Sequence, residues 1–251
     1  MQQLTLLNLD LKNAQFKNTL RRTPAEQLRQ WQEHVRMSWV YLDHALEGVV
    51  LSEAEFVRGI GNEAGKDCCE QALLDSVSRL YGAFEQVSDA ASLKQPIALE
   101  TLKWVHVLCA PSDENAGRYR KVEAPLGAYM QNCAPVKAIS YRLRKLVELI
   151  ESELSSLHPI QAATLVHYEF MSIFPFDKLT GRAGRLLLSY WLMREGYPAL
   201  LVPATMRADY YNALCSDGAG DLLEVVSRAM EHSLELGLRM LGQREQRRRA
   251  A

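Results

Sequence analysis

Apolar residues recur at spacings of three and four along most of the chain, which is the pattern of amphipathic helices. The clearest apolar stripe is formed by Trp31, Val35, Trp39, Leu42 and Leu46. Thr23 and Glu26 are spaced as a capping box and predict the start of this helix, with Pro24 at its first position. Gly48 predicts its end.

The same spacing predicts most of the remaining chain to be helical. Ser52 and Glu55 form a second capping box that predicts a short helix. Longer helices are predicted over residues 66–87, 96–109, 135–154, 158–173, 181–195 and 221–241. Alternation around Tyr119 and Val122 is the single β signal and predicts a small hairpin over 118–124. We expect an all-α fold with one small β-hairpin; the first 22 residues give no clear pattern.

The amino-acid composition excludes several classes of protein. The 251 residues carry 29 basic and 30 acidic side chains, a formal net charge of −1. This balance excludes a surface built for nucleic acid or anionic membrane. The five cysteines are odd in number and form no C-x-x-C pair, so neither a disulfide framework nor a structural zinc site is expected. No apolar run suggests a signal peptide or a membrane span, and a cytoplasmic location is expected.

The chemistry concentrates in residues 167–185. After Pro175, which breaks one helix, a short loop leads into a second helix with Arg182 and Arg185 in its first turns. Cations at a helix N-terminus oppose the helix dipole, so the arrangement costs stability unless an anion lies there. A phosphate would serve as that anion. Pairing of both arginines with acidic side chains is the alternative, and spacing alone does not choose between them.

Residues 173–185 read IFPFDKLTGRAGR. This resembles the motif of the Fic (Fido) family, His-Pro-Phe-x-Asp/Glu-Gly-Asn-Gly/Lys-Arg with a second Arg three residues on. The segments 115–122, 158–170, 196–198 and 207–214 also resemble the family, and the likeness extends over about 35–235. It implies a Fic fold whose hairpin, the flap, would use Arg118, Tyr119 and Val122 to hold a target segment.

The resemblance also implies a reaction, the transfer of AMP from ATP to a protein hydroxyl. In the family the motif His is the general base and the Asp/Glu holds magnesium. Here these positions are Phe174 and Lys178. Phenylalanine accepts no proton, and lysine repels a cation that needs oxygen ligands, so no catalytic residue is assigned and magnesium is not expected. Asp177 is one position from the metal slot, and His167 lies about 10 Å upstream of the base position; we expect neither to substitute.

An upstream segment resembles the inhibitory helix of one class of the family, whose pattern is Ser/Thr-x-x-x-Glu-Gly/Asn. Residues 43–48 read DHALEG, with Asp43 at the Ser/Thr position. The resemblance implies that Glu47 pairs with Arg185 and blocks the productive position of the nucleotide γ-phosphate. The alternative is that Glu47 is a surface residue near a helix end.

From the resemblance we expect residues 1–95 to form a helical extension with the inhibitory helix, 96–240 a Fic core, and 241–251 a basic tail. The departures from the family motif remove catalytic groups from this core but leave its pocket positively charged. The core would bind a nucleotide such as ATP, or another phosphate ligand, with little or no AMP transfer. An active transferase with altered residues and a nucleotide-free protein-interaction module remain alternatives; a protein target or regulator and a homodimer are further partners that the resemblance suggests. The expected phosphate-binding residues are Lys178, Thr180, Gly181, Arg182, Gly184 and Arg185.

Overall fold

The computed structural model describes residues 2–110, 113–124 and 133–249, with the backbone only for 2, 155 and 243–249. This part of the chain contains ten α-helices, and its regular elements are otherwise three short 3₁₀ turns. The helices are α1 (Gln2–Arg22), α2 (Ala25–Leu46), α3 (Glu53–Ile60), α4 (Cys68–Ser92), α5 (Leu99–Cys109), α6 (Ile139–Ser152), α7 (Pro159–Ile173), α8 (Thr180–Arg194), α9 (Arg207–Cys215) and α10 (Gly220–Arg249). The all-α prediction is confirmed.

The first 22 residues, which gave no sequence pattern, form α1. Its inner face buries Leu6, Leu9 and Phe16, and α1 packs along α10. Lys12 binds two carboxylates of α10, those of Glu231 and Glu235. The apolar stripe was obscured because Leu4, Leu7 and Leu11 lie on the exposed side of the same helix.

One predicted capping box is present and the other is wrong. At α3 the Ser52 hydroxyl accepts from the Glu55 backbone N–H while the Glu55 carboxylate accepts from Ser52 N–H. At α2 the cap position is Pro24, with no side-chain cap. The Thr23 hydroxyl donates instead to the Thr19 carbonyl, 2.8 Å away, and so extends α1 rather than starting α2.

The hairpin predicted over 118–124 is not seen in the structure, which describes all of these residues. Residues 113–124 form turns and extended coil without a strand, and 125–132 lie outside the described residues. The alternation around Tyr119 and Val122 has another origin: Tyr119 packs inward, with its ring centroid 6.2 Å from that of Phe176, while Val122 is exposed. A loop held against a helical core produces the same in-and-out pattern as a strand.

The centre of the molecule is formed by α7 and α8, which pack against each other. Residues 180–192 of α8 are all buried, because α4, α5 and α7 pack around it. Burial on every side explains why α8 is apolar through most of its length. The charged residues of its first turns therefore enter an interior that offers little water, and their partners must come from the protein.

Candidate active site

The loop between α7 and α8 is bounded by two residues in the left-handed backbone region. Phe174 has φ = 47° and Leu179 has φ = 57°. A bulky side chain in this region costs of order 1–3 kcal/mol, which the surrounding contacts must offset. The resemblance places glycine at the position of Leu179, where the same backbone would carry no steric cost. The loop thus keeps a conformation suited to glycine although this chain lacks it there.

Thr180 closes this loop. Its hydroxyl accepts from the Phe176 backbone N–H at 3.1 Å and donates to the Phe176 carbonyl at 3.0 Å. The side chain is 1% exposed. The hydroxyl is therefore used in shaping the loop, and its role toward a phosphate stays a prediction.

His106 of α5 contacts the loop between α7 and α8 at two residues. Its ring stacks on Phe176 with 3.8 Å between centroids. Nδ1 accepts from the Gly117 N–H at 2.9 Å, so Nε2 carries the proton and donates to the Lys178 carbonyl at 3.0 Å. Burial lowers the pKa of His106, which keeps the ring neutral in this role. The histidine joins the 113–117 turn to the motif loop.

The positions of the family's general base and metal ligand are occupied here by a phenyl ring, Phe174, and an ammonium group, Lys178. The Phe174 side chain is buried, and its backbone carbonyl accepts a hydrogen bond from Arg120 Nε at 2.7 Å. Asp177 and Lys178 are exposed. Among the described residues, no three His, Cys, Asp or Glu side chains come close enough to hold a metal ion. The donor set at the motif does not fit magnesium, because the position aligned with the metal ligand presents an ammonium group.

Arg182 and Arg185 are bridged by one buried carboxylate from α2. Asp43 Oδ1 lies 2.7 Å from Arg185 Nε, and Oδ2 lies 3.2 Å from Arg182 Nε. The Asp43 side chain is 1% exposed. Burial acts to lower the pKa of the Arg185 guanidinium, but Asp43, together with Tyr210, Glu47 and Tyr211, outweighs it, and the pKa lies well above its ordinary value. The sequence left open whether the two arginines meet a bound anion or acidic side chains. In this structure they pair with acidic side chains.

Glu47 supplies the second carboxylate. It binds Arg185 Nη2, and its Oε1 lies 3.1 Å from where a Cβ on Gly181 would be. Gly181 is in the first turn of α8. A carboxylate there meets the positive end of the helix dipole, the place where the sequence indicated an anion. The contact between Glu47 and Arg185 agrees with the resemblance; an inhibitory role for Glu47 stays a prediction.

The network continues from Arg182 into α4. Arg182 Nη1 donates to the Ser76 hydroxyl. His44 Nδ1 lies 2.8 Å from the Val40 carbonyl and must carry the proton, so its Nε2 accepts from Ser76 Oγ, 3.0 Å away. Burial and the nearby Arg182 lower the pKa of His44. Two of the three nitrogens of Arg182 are thus committed to α2 and α4.

The end of α2 that carries Asp43 and Glu47 is also held by α9. The Leu46 carbonyl accepts from Arg207 Nε at 2.7 Å and from the Tyr211 hydroxyl at 3.0 Å. These donors satisfy a helix-terminal carbonyl that would otherwise lack a partner. The last turn of α2 is therefore fixed on two sides, by α8 and by α9.

His167 and Gly184 serve the packing of α7 on α8. His167 is fully buried, with Nδ1 3.0 Å from the Gly184 carbonyl and Nε2 2.9 Å from the Tyr210 hydroxyl. Burial and the charge of Arg185 lower the pKa of His167 to about 3. A Cβ on Gly184 would lie 2.9 Å from Met171 Sδ, so glycine permits the close approach of the helices. The phosphate-binding role expected of Gly184 stays a prediction.

Arg120 organises the predicted target-binding segment, and sequence reasoning missed it. The residue is 2% exposed. Its guanidinium donates to the carbonyls of Phe174, Val122 and Ala134, and its backbone N–H donates to the Pro175 carbonyl at 2.9 Å. A cation at the C-terminus of α7 is favoured by the dipole. Its neighbour Arg118 is exposed.

Comparison with known proteins identifies the domain. The Fic/DOC family matches residues 96–192. A Fic-domain-containing signaling protein from Bacteroides thetaiotaomicron superposes with a TM-score of 0.80, covering 95% of this chain and 97% of that one at 22% identity. Fic-1 from Caenorhabditis elegans gives a TM-score of 0.77 over 95% of this chain and 71% of that one, at 23% identity. This chain therefore contains a Fic domain.

The curated relatives are longer proteins. Protein adenylyltransferase fic-1 of Caenorhabditis elegans is 32% identical over 121 residues, 47% of this chain and 23% of that protein. Protein adenylyltransferase Fic of Drosophila grimshawi is 29% identical over 162 residues, 62% of this chain and 33% of that protein. The matches thus span 23–33% of the length of those relatives. Separately, no helix in the described part of this chain has the length and apolar character needed to span a bilayer.

Proposed function

We propose that this chain is a Fic-domain protein that binds a nucleotide such as ATP, or another phosphate ligand, and performs little or no ordinary AMP transfer. The observation that carries the proposal is the buried phenyl ring of Phe174 at the position of the family's general base. A phenyl ring takes no proton, and a general base contributes about 10²–10⁴-fold to rate. The names of the relatives support a nucleotide as the ligand class.

The metal position supports the same proposal. Lys178 is exposed there, and Asp177, the adjacent carboxylate, is exposed beside it. A lysine offers a point charge to a phosphate and repels a divalent cation. We therefore propose that any nucleotide binds without magnesium, through Lys178, the first turn of α8 and the arginines.

The carboxylates of α2 compete with that ligand. Asp43 and Glu47 neutralise the formal charges of Arg182 and Arg185, with both carboxylates in contact with Arg185. A phosphate must displace at least one of them, so we expect weak binding by the unaltered chain. Changing Glu47 removes one competitor.

Calorimetric titration tests this proposal. ATP, ADP and GTP, each with and without magnesium, would be titrated into the unaltered chain and into Glu47→Gly. We expect a higher affinity in Glu47→Gly and no gain from magnesium. Glu148→Gln is the control, since Glu148 pairs with Lys145 on α6, an exposed pair remote in sequence from the motif. Absence of heat and of a thermal shift with every nucleotide and both chains would instead favour a protein-interaction module.

An active transferase with altered residues is the second candidate. The adenylyltransferase names of the relatives favour it, and Asp177 is an accessible carboxylate one position from the metal slot. This reading predicts labelling of a protein hydroxyl from ATP that is lost in both Asp177→Ala and Arg182→Ala. Labelling that persists in Asp177→Ala would exclude a catalytic role for this carboxylate.

A further inference from the structure

We propose that Asp43 determines how many phosphate groups the site can bind: it withholds Arg182 from ligands, so that one anionic group binds at Arg185 once Glu47 moves aside. The inference rests on the function proposed above and specifies its ligand. It follows from a difference between the two carboxylates of α2, which hold the arginines in different ways.

Asp43 is fixed in place. One oxygen faces each arginine, at 2.7 Å from Arg185 Nε and 3.2 Å from Arg182 Nε, and the side chain is 1% exposed. It lies inside α2, where the turn that carries it is held by the Leu46 contacts to Arg207 and Tyr211. Moving this carboxylate away would leave two buried guanidinium groups without their shared counter-charge, which is strongly unfavourable.

Glu47 is the more exposed of the two carboxylates. It is the residue at which α2 ends, and its side chain is 20% exposed. Its bond to Arg185 Nη2 can be given up by rotation of the side chain toward solvent, with α2 left in place. Asp43 keeps Arg185 and Arg182 in position while this happens.

The space that Glu47 occupies suits one oxyanion. It lies over Gly181 in the first turn of α8, with Arg185 Nη1 3.2 Å from where a glycine Cβ would be. This buried Nη1 makes no hydrogen bond within the described part of the chain. A guanidinium edge and a helix N-terminus together form a site for one phosphate or carboxylate group.

Arg182 is less available to a second group. Its Nε faces Asp43 and its Nη1 donates to Ser76, which leaves Nη2, and the charge of Asp43 neutralises one of the two guanidinium charges. The family pattern places Ser or Thr at the position of Asp43, and a neutral hydroxyl would not neutralise a guanidinium. The acidic residue here therefore restricts the ligand to a single anionic group, whereas a hydroxyl would leave both arginines available.

Binding of adenosine, AMP, ADP and ATP in the absence of magnesium tests this specificity. The chains compared are the unaltered one, Glu47→Gln, Asp43→Ser, and the double variant Asp43→Ser/Glu47→Gln. In Glu47→Gln we expect AMP to bind better than adenosine, with ADP and ATP within about threefold of AMP, because one guanidinium receives one group and the exposed Lys178 adds only a solvent-screened contact. In the double variant we expect ATP to bind about tenfold or more tightly than AMP, because a second charge-assisted contact is added.

The outcomes separate this inference from the function on which it rests. Affinity that already rises about tenfold from AMP to ATP in Glu47→Gln overturns the inference and leaves nucleotide binding standing. Failure of every probe, inorganic phosphate included, to bind any of the four chains overturns both. Thermal melting establishes that Asp43→Ser is folded; Asp43→Asn, which keeps the size of the side chain, takes its place if it is not. The prediction for Glu47→Gln stands without either Asp43 variant.

Discussion

Asp43 and Arg185 form a buried ion pair that joins α2 to α8, with 2.7 Å between Oδ1 and Nε and at most 4% of either side chain exposed. The residues are 142 positions apart in sequence. Because the same carboxylate also faces Arg182, the pair links the candidate inhibitory helix to both arginines of the motif. The stability of the domain and the accessibility of its proposed anion site are therefore expected to depend on the same contact.

Removal of Asp43 is expected to destabilise the protein strongly. Asp43→Ala leaves two buried guanidinium groups without their shared counter-charge, and loss of one partner from a buried ion pair costs about 3–5 kcal/mol. Glu47→Ala, which removes a partly exposed carboxylate, is the matched control and should cost about 1 kcal/mol. Urea unfolding followed by circular dichroism gives both values. Equal effects of the two substitutions would contradict the ranking of the carboxylates.

Gly181 reports on the position of Glu47. In Gly181→Ala the new Cβ would lie 3.1 Å from Glu47 Oε1, so the carboxylate must shift, and we expect a cost of about 1 kcal/mol. The cost should fall when the substitution is made in Glu47→Ala, and the part that remains comes from Arg185 Nη1, 3.2 Å from the same Cβ. Gly82→Ala on α4 is the control, because its Cβ would meet nothing within 4 Å and alanine is the better helix former. Denaturant melts of the four chains in the cycle, with the control, provide the measurement; a cost independent of Glu47 would place its carboxylate elsewhere.

The sequence predicted elements whose cause is local. Ser52 and Glu55 satisfy each other across one helical turn, so their spacing suffices to predict the start of α3. The helix 158–173 was similarly predictable, because Pro159 fits its first position and Pro175 follows its end. The motif around Phe174 and Arg182 could be found because its residues are contiguous in sequence. For such features the determining interactions lie within a few residues.

Features that depend on distant contacts could not be found in this way. Asp43 reads as one acidic residue on a helix until α8 is placed beside it. The role of Arg120 is not recognisable from the sequence, because its partners are backbone carbonyls and every residue carries one. Thr23 was misassigned because its hydroxyl could serve either of two helices, and local spacing does not decide between them. A basic residue beside a predicted flap could have been singled out, but its burial could not.

Arg120 is expected to be required as an arginine. Arg120→Lys keeps the charge but loses the planar fork that reaches several carbonyls at once, and we expect a loss of about 2–4 kcal/mol in the free energy of unfolding. Arg118→Lys, an exposed neighbour, should stay within about 0.5 kcal/mol. Hydrogen exchange should show faster exchange at residues 118–124 in Arg120→Lys. Equal stability of the two variants would show that charge alone holds the segment.

Acid should destabilise the protein through His167. Its pKa is lowered to about 3 in the folded state, whereas the unfolded chain takes up the proton near pH 6.5. Between these values the unfolded state binds more protons, so stability is present above pH 6.5 and falls as the pH is lowered, by up to about 1.4 kcal/mol per pH unit. His167→Gln should flatten the slope of unfolding free energy between pH 6.5 and 5, while His232→Gln, an exposed control, should not. An unchanged slope in His167→Gln would mean that the buried His167 ring is not the source of the pH dependence of stability.

We expect Phe174 and Lys178 to deprive this Fic domain of ordinary AMP transfer, and labelling with ATP tests this expectation most directly. The purified chain, in parallel with Phe174→Ala and with a variant carrying Phe174→His, Lys178→Asp, Leu179→Gly and Thr180→Asn, is incubated with α-labelled ATP, magnesium and cell lysate. We predict no protein labelling above background by the unaltered chain, and labelling by the four-residue variant once Asp43→Ser and Glu47→Gly are added, because Asp43 and Glu47 both occupy the arginines. Robust labelling by the unaltered chain that persists in Phe174→Ala would contradict the account.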